Sequence, residues 1–479
     1  MNIPIFPTCI SVSAIALFCV LTTISKGETY VWQSESDFPD TFELAPGDKV
    51  IIKPGTYHDV STQFVGGGDL QQQVIVEAEE AGSVKFLGRS GFGVNGNYIT
   101  LSGLVFDGRP ENFDSSPKQF LDDNVGPLSD PKSMGGPPSY NGMVVFSENS
   151  TGCRLTNSFF SNFDRSYDDY PKGMNYIMLR GFENEIDHCT FEHKRSLNAT
   201  IFIKPDPGKE AGPSVERNHY IHHNYFGERN YVGKNGWETI RISDSSKQDY
   251  DLACVIDSNY FYRAILNPGS LSKEKEIISN KSRKNKYINN VFEECDGQIT
   301  LRHGRDCLVE NNWFLGKGSN GATGVRIIGT GHTVKGNVFS DLDGIEYAAT
   351  LTTMQGGYGI VNNQYEGVED ILIEGNLFLN CAQPINMSFA NGRGEDYDSP
   401  PRNLSMIGNR ILSNESGYPM FVFASDLTTS GVWKGNEYYN SASQESYGDV
   451  PSKGWKKKKS LEINLGEPPV DREATGVSF

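Results

Sequence analysis

The sequence predicts an all-β chain wound as a single-domain right-handed parallel β-helix, a solenoid with loop insertions, and three observations carry that prediction. An Asn-x-aromatic or Asn-x-aliphatic motif follows short β-prone runs at Asn157, Asn224, Asn259, Asn290, Asn312, Asn337, Asn376, Asn409 and Asn436, and Cys189 in DHCTF takes the same place once. Successive positions lie 32, 35, 35, 31, 22, 25, 39, 33 and 27 residues apart. A minimum in the low twenties with variable excess is what stacked coils give when each is free to lengthen its loops. The runs between anchors, among them YITLSGLVF, YIMLRG, TIRI, ITLR, VRII and ILIEG, are rich in Ile, Val, Thr and Leu, and no long stretch shows capped helical periodicity.

Taken in chain order, residues 1–26 read as a signal peptide. The apolar run 10–21 suits a secretory h-region and is too short to span a bilayer. No other stretch is apolar enough to cross a membrane, so a mature protein without a membrane span, secreted or periplasmic, is expected. Residues 27–447 read as the β-helix, without a linker-like break, and 448–479 as a C-terminal tail packed on or trailing it. Three insertions, 109–140, 205–219 and 392–401, read as loops on a rigid scaffold, where binding specificity is commonly carried.

The repeated asparagine has a structural reason. Coils of a parallel β-helix rise by ~4.8 Å, so equal positions stack, and buried amides can hydrogen-bond up and down the column where the backbone turns. The aromatic that follows fills the core. No single anchor is therefore assigned a catalytic role. The cysteines beyond the signal, Cys153, Cys189, Cys254, Cys295, Cys307 and Cys381, follow the same register. Cys254 and Cys307 belong to coils two apart, hence ~10 Å, beyond disulfide reach; mostly free, buried thiols are expected.

Of 479 residues, 51 are Gly and 23 Pro, and 37% are hydrophobic, an ordinary globular composition. Lys plus Arg number 43 against 60 Asp plus Glu, a net charge of −17, which argues against broad binding to nucleic acid or anionic membranes. An anionic substrate would need a locally basic site. A monomer is expected.

Reactive side chains are densest between Asn235 and Arg326. Glu274 and Glu276 are two apart and so share one strand face. Carboxylates that close repel unless a cation lies between them, and a hard divalent metal with oxygen ligands from both, joined by an amide such as Asn235, is one occupant; a solvated pair is the other reading. Arg302 follows Lys281 by 21 residues, against 22 between Asn290 and Asn312, which sets the two cations on adjacent coils. Neighbouring positive charge depresses a lysine pKa and so favours a neutral, proton-accepting amine. His303 and Arg326 extend the basic strip, which could equally be a solvated stripe.

NGWETIRI, EIISNKS, LRHG and GVRIIGTGHTVKGNVF, in that order, resemble the signature of polysaccharide lyase family 6, the group of alginate lyases and chondroitinase B. The resemblance covers nearly the whole chain. It implies Ca²⁺-assisted β-elimination from a 1,4-linked uronic acid polymer, with Asn235, Glu274 and Glu276 holding Ca²⁺, Lys281 taking the C5 proton and Arg302 assisting departure of the 4-linked oxygen. His303 and Arg326 would bind substrate. Because Arg is effectively never deprotonated in proteins, water or His303 is kept open as the proton donor. The chain departs from the family pattern at Ser243, where a glycine is expected, and at residues 265–273, which read as inserted ahead of the Glu pair. Three functions remain: a lyase on alginate, the same chemistry on dermatan or chondroitin sulfate, and a non-catalytic carbohydrate-binding or pectin-directed β-helix, since fold does not fix function.

Overall fold

A computed structural model describes residues 27–88, 90–108, 142–162, 175–194, 198–205, 212–229, 236–266, 275–359, 364–390, 397–413, 417–423, 427–440 and 447–479. The signal segment and the 109–140 insertion lie outside the described residues, as do Asn235, Glu274 and parts of the other two insertions.

Three parallel sheets run the length of the molecule. Among the described residues, sheet A has 14 strands, from Thr29–Trp32 to Trp433–Lys434, sheet C has 14, from Gly55–His58 to Trp455–Lys457, and sheet B has 13, from Thr41–Leu44 to Phe421–Phe423. The chain visits A, C and B in turn, and each strand pairs in parallel with its counterparts one coil before and after, as in Leu155↔Ile186, Phe160↔Phe191 and Ile177↔Ile201. This is a parallel β-helix, as expected, and among the described residues the only helical elements are short 3₁₀ turns. Its last strand, Trp455–Lys457, falls in the segment read from sequence as tail.

The interior is layered by residue type because equal positions stack. Phe160, Phe191, Phe226, Phe261, Phe292, Phe314, Phe339 and Phe378 form one column with successive ring centroids 4.6–5.3 Å apart, nearly parallel. Two residues before each of the last six lies a member of an amide ladder. From Asn224 through Asn259, Asn290, Asn312, Asn337, Asn376 and Asn409 to Asn436, each passes a side-chain amide hydrogen bond of 2.9–3.0 Å to the next, seven in all, and each Oδ1 after the first also accepts the backbone N–H of the one before. The column satisfies buried donors at the A-to-C turn, where the chain bends through a left-handed residue such as His223 or Asn289. Asn157 is a correction. It occupies the left-handed position itself (φ 46°), and Ser158 takes the ladder place, its Oγ accepting the N–H of Leu104.

A second polar column opens sheet A, where Cys153 donates its N–H to Asn184, Asn184 to Nδ1 of His219, Cys254 to Asn285 and Cys307 to Nδ1 of His332. Burial lowers the pKa of His219 to about 3 and of His332 to about 4, so both rings stay neutral and can accept. The six cysteines among the described residues are buried and unpaired, as their register predicts. The C-terminal segment returns to the outer face of sheet C. Val470 packs with Tyr225, Tyr260 and Val291, Arg472 lies over the Tyr225 and Tyr262 rings, and Ser478 donates its N–H to Asn157.

Candidate functional site on sheet B

Four consecutive strands of sheet B, Ile240–Ile242, Glu276–Lys281, Gln298–His303 and Val325–Ile327, carry the sequence-predicted cluster on their outer face. Period-2 alternation does the sorting. Ile240, Ile278, Ile299 and Val325 point into the core, and the residues after them, Arg241, Ser279, Thr300 and Arg326, stack outside. The register slips between Asn280 and Lys281, so Lys281 stands opposite His303 while Asn280 faces Leu301. Lys281 and Arg302 are thereby placed one coil apart on neighbouring strands, as their spacing predicts.

Lys281 is half-buried, and its pKa is lowered. Burial is the largest cause, followed by the positive charge of Arg241; Glu238 and Glu276 oppose the shift, and Arg302 adds to it. The direction matches the sequence expectation, but the ordering of causes does not. Desolvation leads, and the larger cationic contribution comes from Arg241 on the coil before. Arg302 lies over the Tyr365 ring at 4.2 Å, which steers the guanidinium at the end of its long side chain.

The other cations are placed differently from the open basic strip read in sequence. His303 is 1% exposed. In the strand register it is the partner of Lys281. Arg326 donates from Nη2 to Glu276 Oε1 at 2.6 Å, with side chains 7% and 6% exposed, so the residue expected to bind substrate and one expected to bind metal are joined as a buried ion pair.

Of the three residues expected to hold Ca²⁺, Asn235 and Glu274 lie outside the described residues, and Glu276 is in the groove. Two neighbours that sequence reasoning passed over complete its surroundings. Extending the register back from Ile240↔Ile278 sets Glu238 beside Glu276, and Gln298 pairs with Glu276 on the other side. Glu238 Oε2 and both amide atoms of Gln298 are buried with no hydrogen-bond partner among the described residues. Buried carboxylate and amide oxygens without partners are the donor set that a hard, oxygen-seeking cation takes, so the residues present fit Ca²⁺. Glu238 was visible in sequence as the acid of NGWETIRI. Its signal was hidden because it precedes the strand and has no partner at spacing two.

The chondroitinase B family profile matches residues 39–414. Among solved structures, the chain is 25% identical to the family 6 alginate lyase AlyGC, with a TM-score of 0.75 over 94% of this chain and 58% of that one. A mannuronic acid specific family 6 lyase from human gut microbiota is also 25% identical, with a TM-score of 0.70, covering 91% of this chain and 92% of that one. The family 6 lyase Pedsa3628 from Pseudopedobacter saltans, at 21% identity and a TM-score of 0.69, shares the fold over 94% of this chain and 99% of its own. Thus the chain spans somewhat over half the length of AlyGC but nearly all of the other two. Comparison with curated proteins gave no match. Since the profile spans most of the solenoid, including the strands that bear Lys281 and Arg302, the chain belongs to the chondroitinase B family, polysaccharide lyase family 6.

Proposed function

We propose that the protein is a secreted or periplasmic lyase, acting as a monomer, that cleaves a 1,4-linked uronic acid polymer, alginate before dermatan or chondroitin sulfate, by β-elimination. The observation that carries this reading is the half-buried Lys281, its pKa lowered, one coil from Arg302 in an acid-flanked groove. In the reaction, the neutral Lys281 amine takes the C5 proton. The C5–H electrons form the C4–C5 double bond, the C4–O4 bond breaks, and O4 takes a proton from water or His303 to become a new chain end. Elimination consumes no water and leaves an unsaturated uronate on the other fragment.

Ca²⁺ is the cofactor of this reading, with Asn235, Glu274 and Glu276 as its ligands and Glu238 and Gln298 within the same polar surround. When bound, it neutralises the substrate carboxylate and so acidifies the adjacent C–H. Burial keeps Lys281 less protonated than a free amine. Arg302 stabilises the departing oxyanion by charge and hydrogen bonding, a role that does not require it to lose its proton. Tyr365 holds the guanidinium from the other side.

The test is absorbance of the unsaturated product on alginate, its block fractions and dermatan sulfate, with and without chelator. Increase on alginate that chelator abolishes supports the reading, increase on dermatan sulfate alone transfers it to the sulfated polymer, and no increase on any of them leaves a non-catalytic carbohydrate-binding solenoid. Arg302→Lys against His303→Gln separates the proton donors: the acid donor is His303 only if the histidine change alone flattens the pH profile.

A further inference from the structure

We propose that Glu185, Asp187 and His222 form a site for a divalent transition metal of zinc's class on the outer face of sheet A, separate from the sheet B groove. Their ligating atoms lie within 4.8 Å of one another. Glu185 and Asp187 are two apart on one strand and share its outer face; His222 stands opposite Asp187 on the next coil.

The side chains are held in place before any ion arrives. The side chain of Asp187 is fully buried, anchored by Arg154 through Nε at 2.6 Å and Nη2 at 2.5 Å, by the Thr156 hydroxyl at 2.9 Å and by His188 at 2.7 Å. Three of these contacts fall on Oδ2. Among the described residues Oδ1 accepts only from Arg154 Nε, which leaves it a lone pair. His222, 12% exposed, sets Nε2 2.9 Å from Glu185 Oε1, and the Tyr220 ring stacks on it at 4.0 Å, fixing its plane. Its other nitrogen, Nδ1, lies 2.9 Å from Nδ1 of His223, so one of those nitrogens carries a proton and the other accepts it.

A metal that takes the place of the proton between His222 Nε2 and Glu185 leaves His222 protonated at Nδ1, donating to His223. That is the outer hydrogen bond that orients metal-bound imidazoles generally. Charge favours the exchange. Glu185 and Asp187 outweigh Arg154 by one, and Asp257, which follows His222 in the same column, adds another negative charge. One imidazole with two carboxylates selects zinc-class ions, whereas calcium prefers oxygen alone. The ion would add a cross-link between the strands Glu185–Asp187 and Tyr220–His222, which already pair through their backbones.

The experiment titrates ZnCl₂ into the metal-stripped full chain in excess Ca²⁺, by calorimetry and by thermal melting. One equivalent should bind and raise the melting temperature by a few degrees. Both effects should be lost in His222→Gln and in Glu185→Gln and kept in His193→Gln, a histidine outside the cluster. Glu185 is 35% exposed, so its amide variant should fold even if His222→Gln does not; circular dichroism checks both. Absence of binding by the parent protein, or unchanged binding in folded Glu185→Gln, overturns the proposal.

Discussion

Replacing Arg326 with methionine tests whether Glu276 is the point at which structural charge and cofactor meet. The pair is 2.6 Å apart between nearest atoms and almost wholly out of solvent. With the charge centres ~4 Å apart and an effective dielectric of about 20, the attraction is ~4 kcal/mol, and breaking a buried pair by removing one partner costs about 3–5 kcal/mol because the other charge stays behind. In chelator, Arg326→Met should therefore melt well below the parent protein. Methionine keeps most of the arginine stem's volume, so the loss is chiefly electrostatic. Saturating Ca²⁺ should restore most of that loss, since a cation beside Glu276 compensates the orphaned carboxylate, and should raise the parent's melting temperature by less. Adding Glu276→Gln should recover part of the stability in chelator and remove the calcium response, closing a double-mutant cycle. If calcium stabilises parent and Arg326→Met equally, Glu276 is not shared between arginine and metal, and its assignment as a ligand fails.

Three further outcomes follow from the same geometry. Lys281 must be neutral to accept a proton and its pKa is lowered from 10.5, so the rising limb of the lyase pH profile should fall below that of a free amine, and Lys281→Arg should abolish turnover; a limb at or above pH 10.5 would contradict the buried-base reading. Ser243 holds φ at +67°, in the left-handed region that favours glycine, so Ser243→Gly should be neutral or stabilising by up to about 1 kcal/mol in thermal melts, whereas Ser243→Val should destabilise. Asn312→Ala removes the amide that donates to the Tyr287 and Glu310 carbonyls and accepts the Asn290 N–H, and should cost about 3–5 kcal/mol, since each buried orphan is worth about 1–3; unchanged unfolding would refute the load assigned to the ladder.

The architecture could be read from the chain because a solenoid writes its period into the sequence. Eight buried asparagines and the phenylalanine column are local motifs, visible without knowing which coils touch. At Asn157 the same reading slipped by one residue, since a polar residue in the left-handed turn position looks identical to one in the ladder. The Lys281–Arg302 relation was legible because 21 residues nearly equals the 22-residue length of the coil that separates them. The burial of His303 was not legible in LRHG, because a motif does not show which of its residues the neighbouring coils cover. The Glu276–Arg326 pair spans 50 residues and two coils, and nothing in either segment marks the other. The grouping of Glu185 with His222 was equally hidden, since their alignment depends on a 35-residue coil whose loop length sets the register.

The returning C-terminal segment changes how such a molecule can come apart. A stack in which each layer touches only its neighbours can fray from an end one layer at a time. Here Val477 and Ser478 hydrogen-bond to residues 287 and 321 positions earlier, on Thr190 and Asn157. These contacts close very long loops, whose entropy must be met late in assembly. They also clamp the middle layers from outside, so that unravelling from the far end must first release a strap that runs back across its own earlier turns.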